Sequence, residues 1–430
     1  MTEPRPLQIL TVNSGSSSLK LALYTAGKGV EAVASMEAER IGERDLRLRA
    51  GKAGEKAEEL PRPASVGSAP GFGDIFQALL DWLEKDCPER QSPALRIDSV
   101  GHRIVHGGPR YRSAQLLNEE VLAELRRLTA VDPGHMPQAL ECISAASRRF
   151  PRAPQAVCFD TAFHRTMPAV AQRFALPRRF HDEGILRYGF HGISYEYIVS
   201  ELARIEPERA MGRVIVAHLG NGASMAAISG GKSVETSMGF TPVAGLMMGT
   251  RCGDLDPGLL AWLAQQRKMS GEEMTRLVAR ESGLLGVSGS SQDMRDLLAR
   301  EAADAAAAEA VALFCYRARQ YVGALAAVLG GLDILVFTGG VGEHAAPVRE
   351  RICSGLEFLG VGIDGERNRA GAPLISREAD RVAVRVIAAN EDLMIARHTA
   401  RIVAARSVAA GRDAAAPKSG EGSEREKIEP

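Results

Sequence analysis

Five side chains stand out because each sits where it has little structural work to do. Arg103 lies between Gly101-His102 and Ile104-Val105 in a strand pattern, and Arg251 lies in a loop rich in Gly, Met and Thr. Either could be a plain paired cation. Yet a guanidinium presents a planar fork that suits carboxylate and phosphate oxygens alike. His191 stands in Tyr188-Gly189-Phe190-His191-Gly192, a glycine-flanked loop that leaves the ring free to meet a ligand. Asp160 follows the apolar run 156–159, at the strand end where ligands bind in open α/β sheets, although a turn cap would look the same. Glu391 opens a helix after a strand, as either a dipole partner or a cation ligand.

Phosphate-binding devices accompany them. Asn13-Ser14-Gly15-Ser16-Ser17-Ser18-Leu19-Lys20 joins two strand patterns through small hydroxyl residues, and such a tip offers N–H and O–H donors to an anion. The same device returns near 214–228, where His218-Leu219-Gly220-Asn221-Gly222 separates two apolar runs. Phe337-Thr338-Gly339-Gly340-Val341-Gly342-Glu343 reads as a buried strand running into glycines, with a helix expected from about Pro347. No GxxxxGK[ST] and no GxGxxG after an opening strand is present, so neither a P-loop nor a Rossmann dinucleotide site is expected. His102 and His106 are four apart, but no Cys or carboxylate cluster joins them, so no metal is expected there.

The elements that must position these residues alternate. Strand patterns cover 99–105, 156–159, 213–218, 224–228, 334–337 and 381–388. Helical patterns cover 75–85, 119–128, 137–149, 195–205 and 257–266. Ser270 and Glu273 form a capping box for a helix reaching 281, and the Ala-rich stretch 301–329 is the longest helix candidate. The mixture predicts α/β layering. The repeated hairpin predicts a duplicated fold with nucleotide in the cleft between the halves. At 430 residues the chain suggests two domains. Residues 49–70 read as an exposed loop, and from Gly411 onward the composition predicts a disordered tail.

Composition excludes several classes. The 53 basic and 53 acidic residues balance, so nucleic acid and anionic membranes are not expected partners. No apolar run approaches the ~20 residues of a membrane span. The start of the chain shows no basic-then-apolar leader, and the six cysteines are scattered, so a cytoplasmic protein with reduced thiols is expected.

These motifs together resemble the acetate kinase family, within the actin/heat-shock-ATPase/sugar-kinase superfamily. The likeness also takes in Phe159-Asp160-Thr161-Ala162-Phe163-His164, Met247-Met248-Gly249-Thr250-Arg251-Cys252-Gly253-Asp254 and Asn390-Glu391-Asp392-Leu393. The resemblance implies two actin-like domains, 1–163 plus 393–408 and 164–392, the second also mediating a homodimer, with 411–430 left as the tail. It implies ATP as co-substrate, Mg²⁺ or Mn²⁺ held by Asn13 and Glu391, and acetate as acceptor. Ser16, Ser18, Lys20, His218, Gly220, Asn221 and Gly222 would face the phosphates. Gly340, Val341, Gly342, Glu343 and His344 would contact adenosine and phosphate, with Asp293, Met294 and Arg295 near the base or ribose. Arg103, Val105, Gly134, Phe190 and Pro242 would hold the acyl group. His191 and Arg251 would stabilise the transferring phosphoryl group, and Asp160 would position Mg²⁺ or an arginine.

The chemistry is coherent. A carboxylate acceptor, with a pKa near ~4.3, is already ionised at neutral pH, so it needs charge neutralisation rather than a base. Propionate or butyrate kinase is the related alternative. An ATP-switch module of the actin or heat-shock type is the alternative from another class, and it has no use for a carboxylate clamp. Tyr195, Glu235, Ala244, Cys252 and His344 depart from the family pattern, and Gly134 stands where that pattern carries Leu.

Overall fold

The computed structural model describes residues 5–43, 45–55, 57–63, 66–67, 70–85 and 96–415. Thirteen strands form two sheets among these residues. The first sheet holds β1 (Leu7–Ser14), β2 (Ser18–Ala26), β3 (Val30–Glu39), β4 (Arg47–Lys52), β5 (Glu58–Leu60), β6 (Ser99–Ile104), β7 (Gln115–Leu116) and β8 (Gln155–Phe159). Its order is β5-β4-β3-β2-β1-β6-β8-β7. The second holds β9 (Arg213–Leu219), β10 (Ala223–Ser229), β11 (Lys232–Thr236), β12 (Ile334–Thr338) and β13 (Ala383–Val386), in the order β11-β10-β9-β12-β13.

The duplication is explicit in the strand directions. In the first sheet β3, β2 and β1 run antiparallel and β1, β6 and β8 run parallel. In the second sheet β11, β10 and β9 run antiparallel and β9, β12 and β13 run parallel. In each half a helix lies in the connection from the antiparallel strands to the first strand parallel to the central one, β5 to β6 in one half and β11 to β12 in the other. It is Phe72–Lys85, packed on β2 and β3, in one half and Ala305–Leu329, packed on β9, β10 and β11, in the other. The family expectation of two duplicated actin-like halves is met.

Alternation along the strands puts apolar side chains on both faces of the second sheet. Ile215, Ala217, Met225, Leu335 and Phe337 face the helix Ala305–Leu329, while Val214, Val216, Ala226, Ile334 and Val336 face the helix Gly192–Ile205. Both sets are buried, as a central sheet between two helical layers requires. The last helix, Glu391–Ala415, returns to the first sheet and packs on β1, β6 and β8. Gly101 of β6 lies beneath it; a Cβ there would run into Thr399 and Ile395. The glycine lets the helix come down onto the strand, which sets Glu391 at the helix start beside the ends of β1 and β6.

Three expectations need correction. Residues 49–70 are not simply a loop, because β4 and β5 continue the sheet there. Leu48 and Ala50 point into the core while Arg47 is exposed, a period-two pattern masked by glycine and charge. The helix Glu391–Ala415 carries the chain past Gly411, so the expected tail begins inside a helix; residues 416–430 lie outside the described residues. The helix expected near Pro347 is preceded by another that starts at Gly339, directly off β12.

Candidate active site

A cavity of about 520 Å³ lies where the two sheets' hairpins and strand ends converge. One wall is the β1–β2 hairpin, with Asn13, Gly15, Ser18 and Lys20. Facing it are the β9–β10 tip, with His218, Gly220, Asn221 and Gly222, and the end of β12, with Gly339, Gly340 and Glu343. Arg103, His191 and the segment Ala389–Asp392 complete the wall. The tips are tight. Gly15 N donates to Ser18 O at 2.8 Å, and Gly220 N donates to Gly222 O at 3.0 Å. Gly339 has φ +77°, and a Cβ there would sit 2.8 Å from Leu219 O, so the second tip and the end of β12 meet only because this residue is glycine.

Arg103 is the hub. Its Nε donates to Asp160 Oδ1 at 3.0 Å and its Nη2 to Asp160 Oδ2 at 2.6 Å, a side-on bidentate pair. Its Nη1 donates to Asn13 Oδ1 at 3.0 Å, and Asn13 Nδ2 donates in turn to Glu391 Oε2 at 2.9 Å. Burial works to lower Arg103, but Asp160 and Glu391 outweigh it and hold the guanidinium firmly charged. Asp160 is fully buried; burial pushes its carboxyl up and Arg103 opposes this. Both carboxylate oxygens accept from the charged guanidinium, so Asp160 orients the arginine. The guanidinium has five N–H groups. Three are engaged here, which leaves two for an incoming anion.

Arg251 is placed differently. Its Nη1 donates to the Pro242 carbonyl at 2.8 Å, and among the described residues it forms no ion pair with a carboxylate. Burial lowers its pKa, and the nearby charge of Arg103 adds to that against Asp132. Arg251 does not itself line the cavity but lies directly behind Gly222, which does: a Cβ on that glycine would lie 3.6 Å from Arg251 Nη1 and 3.3 Å from His191 Nε2. Guanidinium and imidazole therefore share one spot behind the β9–β10 tip. Gly249 allows a further approach, since a Cβ there would collide with the Asn221 side chain.

His191 is the N-cap of the helix Gly192–Ile205, in the left-handed region at φ 59° and ψ 22°. His164 holds this turn, with Nε2 3.0 Å from Phe190 O and Nδ1 2.8 Å from Ser233 Oγ. The His191 ring stacks on His218 with centroids 4.3 Å apart, and His218 Nδ1 is 2.9 Å from Ser194 Oγ. Burial first, then His218, Arg103 and Arg251, push His191 well below the usual histidine range. It is thus neutral at pH 7 and offers a hydrogen bond rather than a charge. Buried guanidinium groups, glycine-lined backbone and the His191 ring meet here beside the carboxylates of Glu343, Glu391 and Asp392, and the guanidinium and N–H donors suit an anionic ligand with phosphate oxygens.

Other expected residues line the cavity while holding protein partners, or sit apart from it. Lys20 lines the cavity but pairs with Glu37 at 3.0 Å. Glu343 turns inward, with Oε1 accepting from Gly339 N at 2.9 Å and Ala389 N at 3.0 Å, so it ties β12 to the segment before Glu391. Asp293 and Arg295 bond each other at 2.6 Å, and Met294 is buried in the core, so its side chain is not at the cavity. Ser16, Val341, Gly342 and His344 do not line it; Gly342 is buried and His344 is exposed. Val105, Phe190 and Pro242 are buried beside the Arg251–His106 side rather than on the cavity wall, with the Phe190 and His106 rings 5.6 Å apart. At Gly134 a Cβ would meet only Asp132 Oδ1, at 3.5 Å, so the space there is open.

Sequence reasoning missed Ser224 and Asp392. Ser224 pairs with His218 across the second hairpin, a register only the sheet reveals. Asp392 lines the cavity with a buried Oδ1 that has no hydrogen-bond partner, and burial and Glu391 push it up to about 6.

Residues 8–397 match the Acetokinase family. The chain is 48% identical to the acetate kinase of Methylocella silvestris over 91% of its own length and 96% of that protein's. It is 43% identical to the propionate kinase of Escherichia fergusonii, over 92% of this chain and 96% of that one. The crystal structure of Porphyromonas gingivalis acetate kinase superposes with a TM-score of 0.80 at 36% identity, covering 92% of this chain and all (100%) of that one.

Proposed function

Since the chain belongs to the acetokinase family, we propose that it transfers the γ-phosphoryl group of ATP to acetate, giving acetyl phosphate and ADP, and runs the reverse reaction at the same site. The observation that carries this is Arg251, a part-buried guanidinium with no carboxylate partner among the described residues, set beside Arg103 and His191. An unpaired buried cation is costly unless a ligand anion completes it. An acetate carboxylate between the arginines, already ionised, attacks phosphorus in line. Arg251 and the His191 N–H then meet the charge on the transferring oxygens. Positioning and charge neutralisation suffice, and no covalent intermediate on the protein is required.

Mg²⁺ fits the donor set. The hydrogen bond and ion pair of Glu391 both fall on Oε2, which leaves Oε1 for a cation. No cluster of three or more His, Cys, Asp or Glu occurs among the described residues, and Mg²⁺ needs few protein ligands beside phosphates and water. Glu391 would hold the ion, which when bound neutralises phosphate charge. Asn13, with Oδ1 on Arg103 and Nδ2 on Glu391, orients both. Mn²⁺ would meet the same oxygen donors.

The open space at Gly134 favours a second substrate, propionate, at the same site. We divide the chain into 1–163 plus 393–408 and 164–392, with nucleotide between. Exposed Leu255, Leu259, Trp262 and Tyr316 support a homodimer through the second part. No helix is long and apolar enough to cross a membrane among the described residues, and the described cysteines are free thiols, which supports the cytoplasm. A hydroxamate assay with MgATP and acetate, propionate or butyrate tests the reading. Acyl hydroxamate formation is the expected result. Slow ATP hydrolysis that ignores the carboxylate would overturn it in favour of an ATP-driven switch.

A further inference from the structure

The two ring nitrogens of His191 have different surroundings. Nε2 is the one beside Gly222, on the cavity wall. Nδ1 lies 2.8 Å from Ser224 Oγ, and Ser224 Oγ lies 2.5 Å from Tyr195 OH. Ser224 and Tyr195 are both wholly buried. Tyr195 sits one helical turn beyond His191, and Ser224 faces them from β10.

Counting protons decides how this chain is connected. Tyr195 and Ser224 bring one hydroxyl proton each, and each hydroxyl can also accept. If Tyr195 donates to Ser224 and Ser224 donates to Nδ1, every proton has an acceptor and the ring carries its own proton on Nε2. If Nδ1 were protonated it would donate to Ser224 Oγ, and one of the two hydroxyl protons would then lack an acceptor in a buried place. An unmade buried hydrogen bond is the more expensive outcome. We propose that Ser224, held by Tyr195, is a positioning residue that fixes His191 as the Nε2–H tautomer and so turns a ring N–H toward the anion in the cavity. The stack on His218 and the His164 bond to Phe190 O fix the ring plane; the Ser224 pair fixes which nitrogen donates. The catalytic consequence rests on His191 contacting the transferring phosphoryl group.

The test uses the full chain labelled with ¹⁵N-histidine, and long-range ¹H–¹⁵N spectra report the protonated nitrogen directly. His191 signals are those lost in His191→Ala. Wild type is expected to show Nε2 protonated and Nδ1 as a hydrogen-bonded acceptor at pH 7. Ser224→Ala should move the Nδ1 resonance toward that of a free acceptor, lower kcat about tenfold and leave the KM for ATP within about twofold, the scale of one buried hydrogen bond. His191→Ala with Ser224→Ala should be no slower than His191→Ala alone, because Ser224 acts through the ring. A protonated Nδ1 in wild type, an unmoved Nδ1 resonance in Ser224→Ala, or additive losses in the double variant would overturn the relay. If Ser224→Ala does not fold, Tyr195→Phe removes one oxygen and leaves the packing. It should shift the same resonance by less, and no shift overturns the role of Tyr195. Should His191→Ala keep full turnover, the assignment of His191 to phosphoryl transfer falls, while the spectra still decide the relay.

Discussion

Asp160 closes both carboxylate oxygens on one edge of the Arg103 guanidinium, at 3.0 Å from Nε and 2.6 Å from Nη2. The pair joins the ends of two adjacent parallel strands, β8 and β6, and fixes the arginine's plane before any substrate arrives. Asp160 contributes orientation, and Arg103 keeps two N–H groups for the anion.

Replacing Asp160 by Ala leaves that guanidinium charged, part-buried and free to rotate. Breaking a buried pair from one side typically costs about 3–5 kcal/mol. Both the melting temperature and kcat/KM for acetate should fall. Calorimetry that shows unchanged stability, together with normal acetate kinetics, would contradict the positioning role.

Arg251→Ala removes a cation that forms no ion pair with a carboxylate among the described residues. The expected loss is about a hundredfold or more in kcat, the range for a preorganised donor aimed at developing charge. Binding of ADP, followed by titration calorimetry, should change little. Near-normal turnover with acetate would remove Arg251 from the reaction.

Gly134 leaves a gap bounded only by Asp132 Oδ1 within 4 Å. Each methylene accommodated is worth about 0.8 kcal/mol, and one methylene changes discrimination by only ~10–200-fold. Propionate should therefore be used unusually well, and Gly134→Leu should restore preference for acetate while sparing its kcat. Comparing kcat/KM for the two acids decides it. Strong discrimination in wild type that Gly134→Leu leaves untouched would mean that neighbouring residues already fill the gap.

Stability should fall with acid from pH 7. His102, His106 and His164 are buried, and burial pushes each down to about 4. Below ~6.5 the unfolded chain takes up these protons and the folded chain does not, so stability declines as pH drops toward 4. His191 and His218, also pushed down by burial, add to this, while Asp392, pushed up to about 6 by burial and Glu391, and Asp160, also raised by burial, work the other way. Melting temperatures measured from pH 7.5 to 5 should fall by several degrees. A flat profile would show that the buried histidines do not dominate.

Local signals in the chain determined the elements and most of the chemistry. Apolar runs on either side of Asn13–Lys20 and of His218–Gly222 marked both hairpins, because a strand–glycine–strand pattern is written in neighbouring residues. Helices such as Glu119–Leu128 and Pro257–Gln266 carry their own periodicity and caps. The residue types at 103, 160, 191, 251 and 391 announced anion and cation chemistry for the same reason. What each one touches is set by partners far away in sequence. Asp160 was expected to position Mg²⁺ or an arginine, and its oxygens accept from Arg103, 57 residues away. Asn13 was expected beside a metal, and its amide bridges Arg103 and the expected metal carboxylate Glu391, the latter 378 residues distant. Glu343 lines the cavity as expected of a nucleotide contact, and its Oε1 also anchors backbone at Gly339 and Ala389. Ser224 had no signal at all, since the register of β9 with β10 sets it opposite His218 and only the docking of the helix Gly192–Ile205 brings the His191 ring to it. Period and capping act within a few residues, whereas hydrogen-bond pairing is decided by strand order and by the return of the last helix, which only the folded chain holds in place.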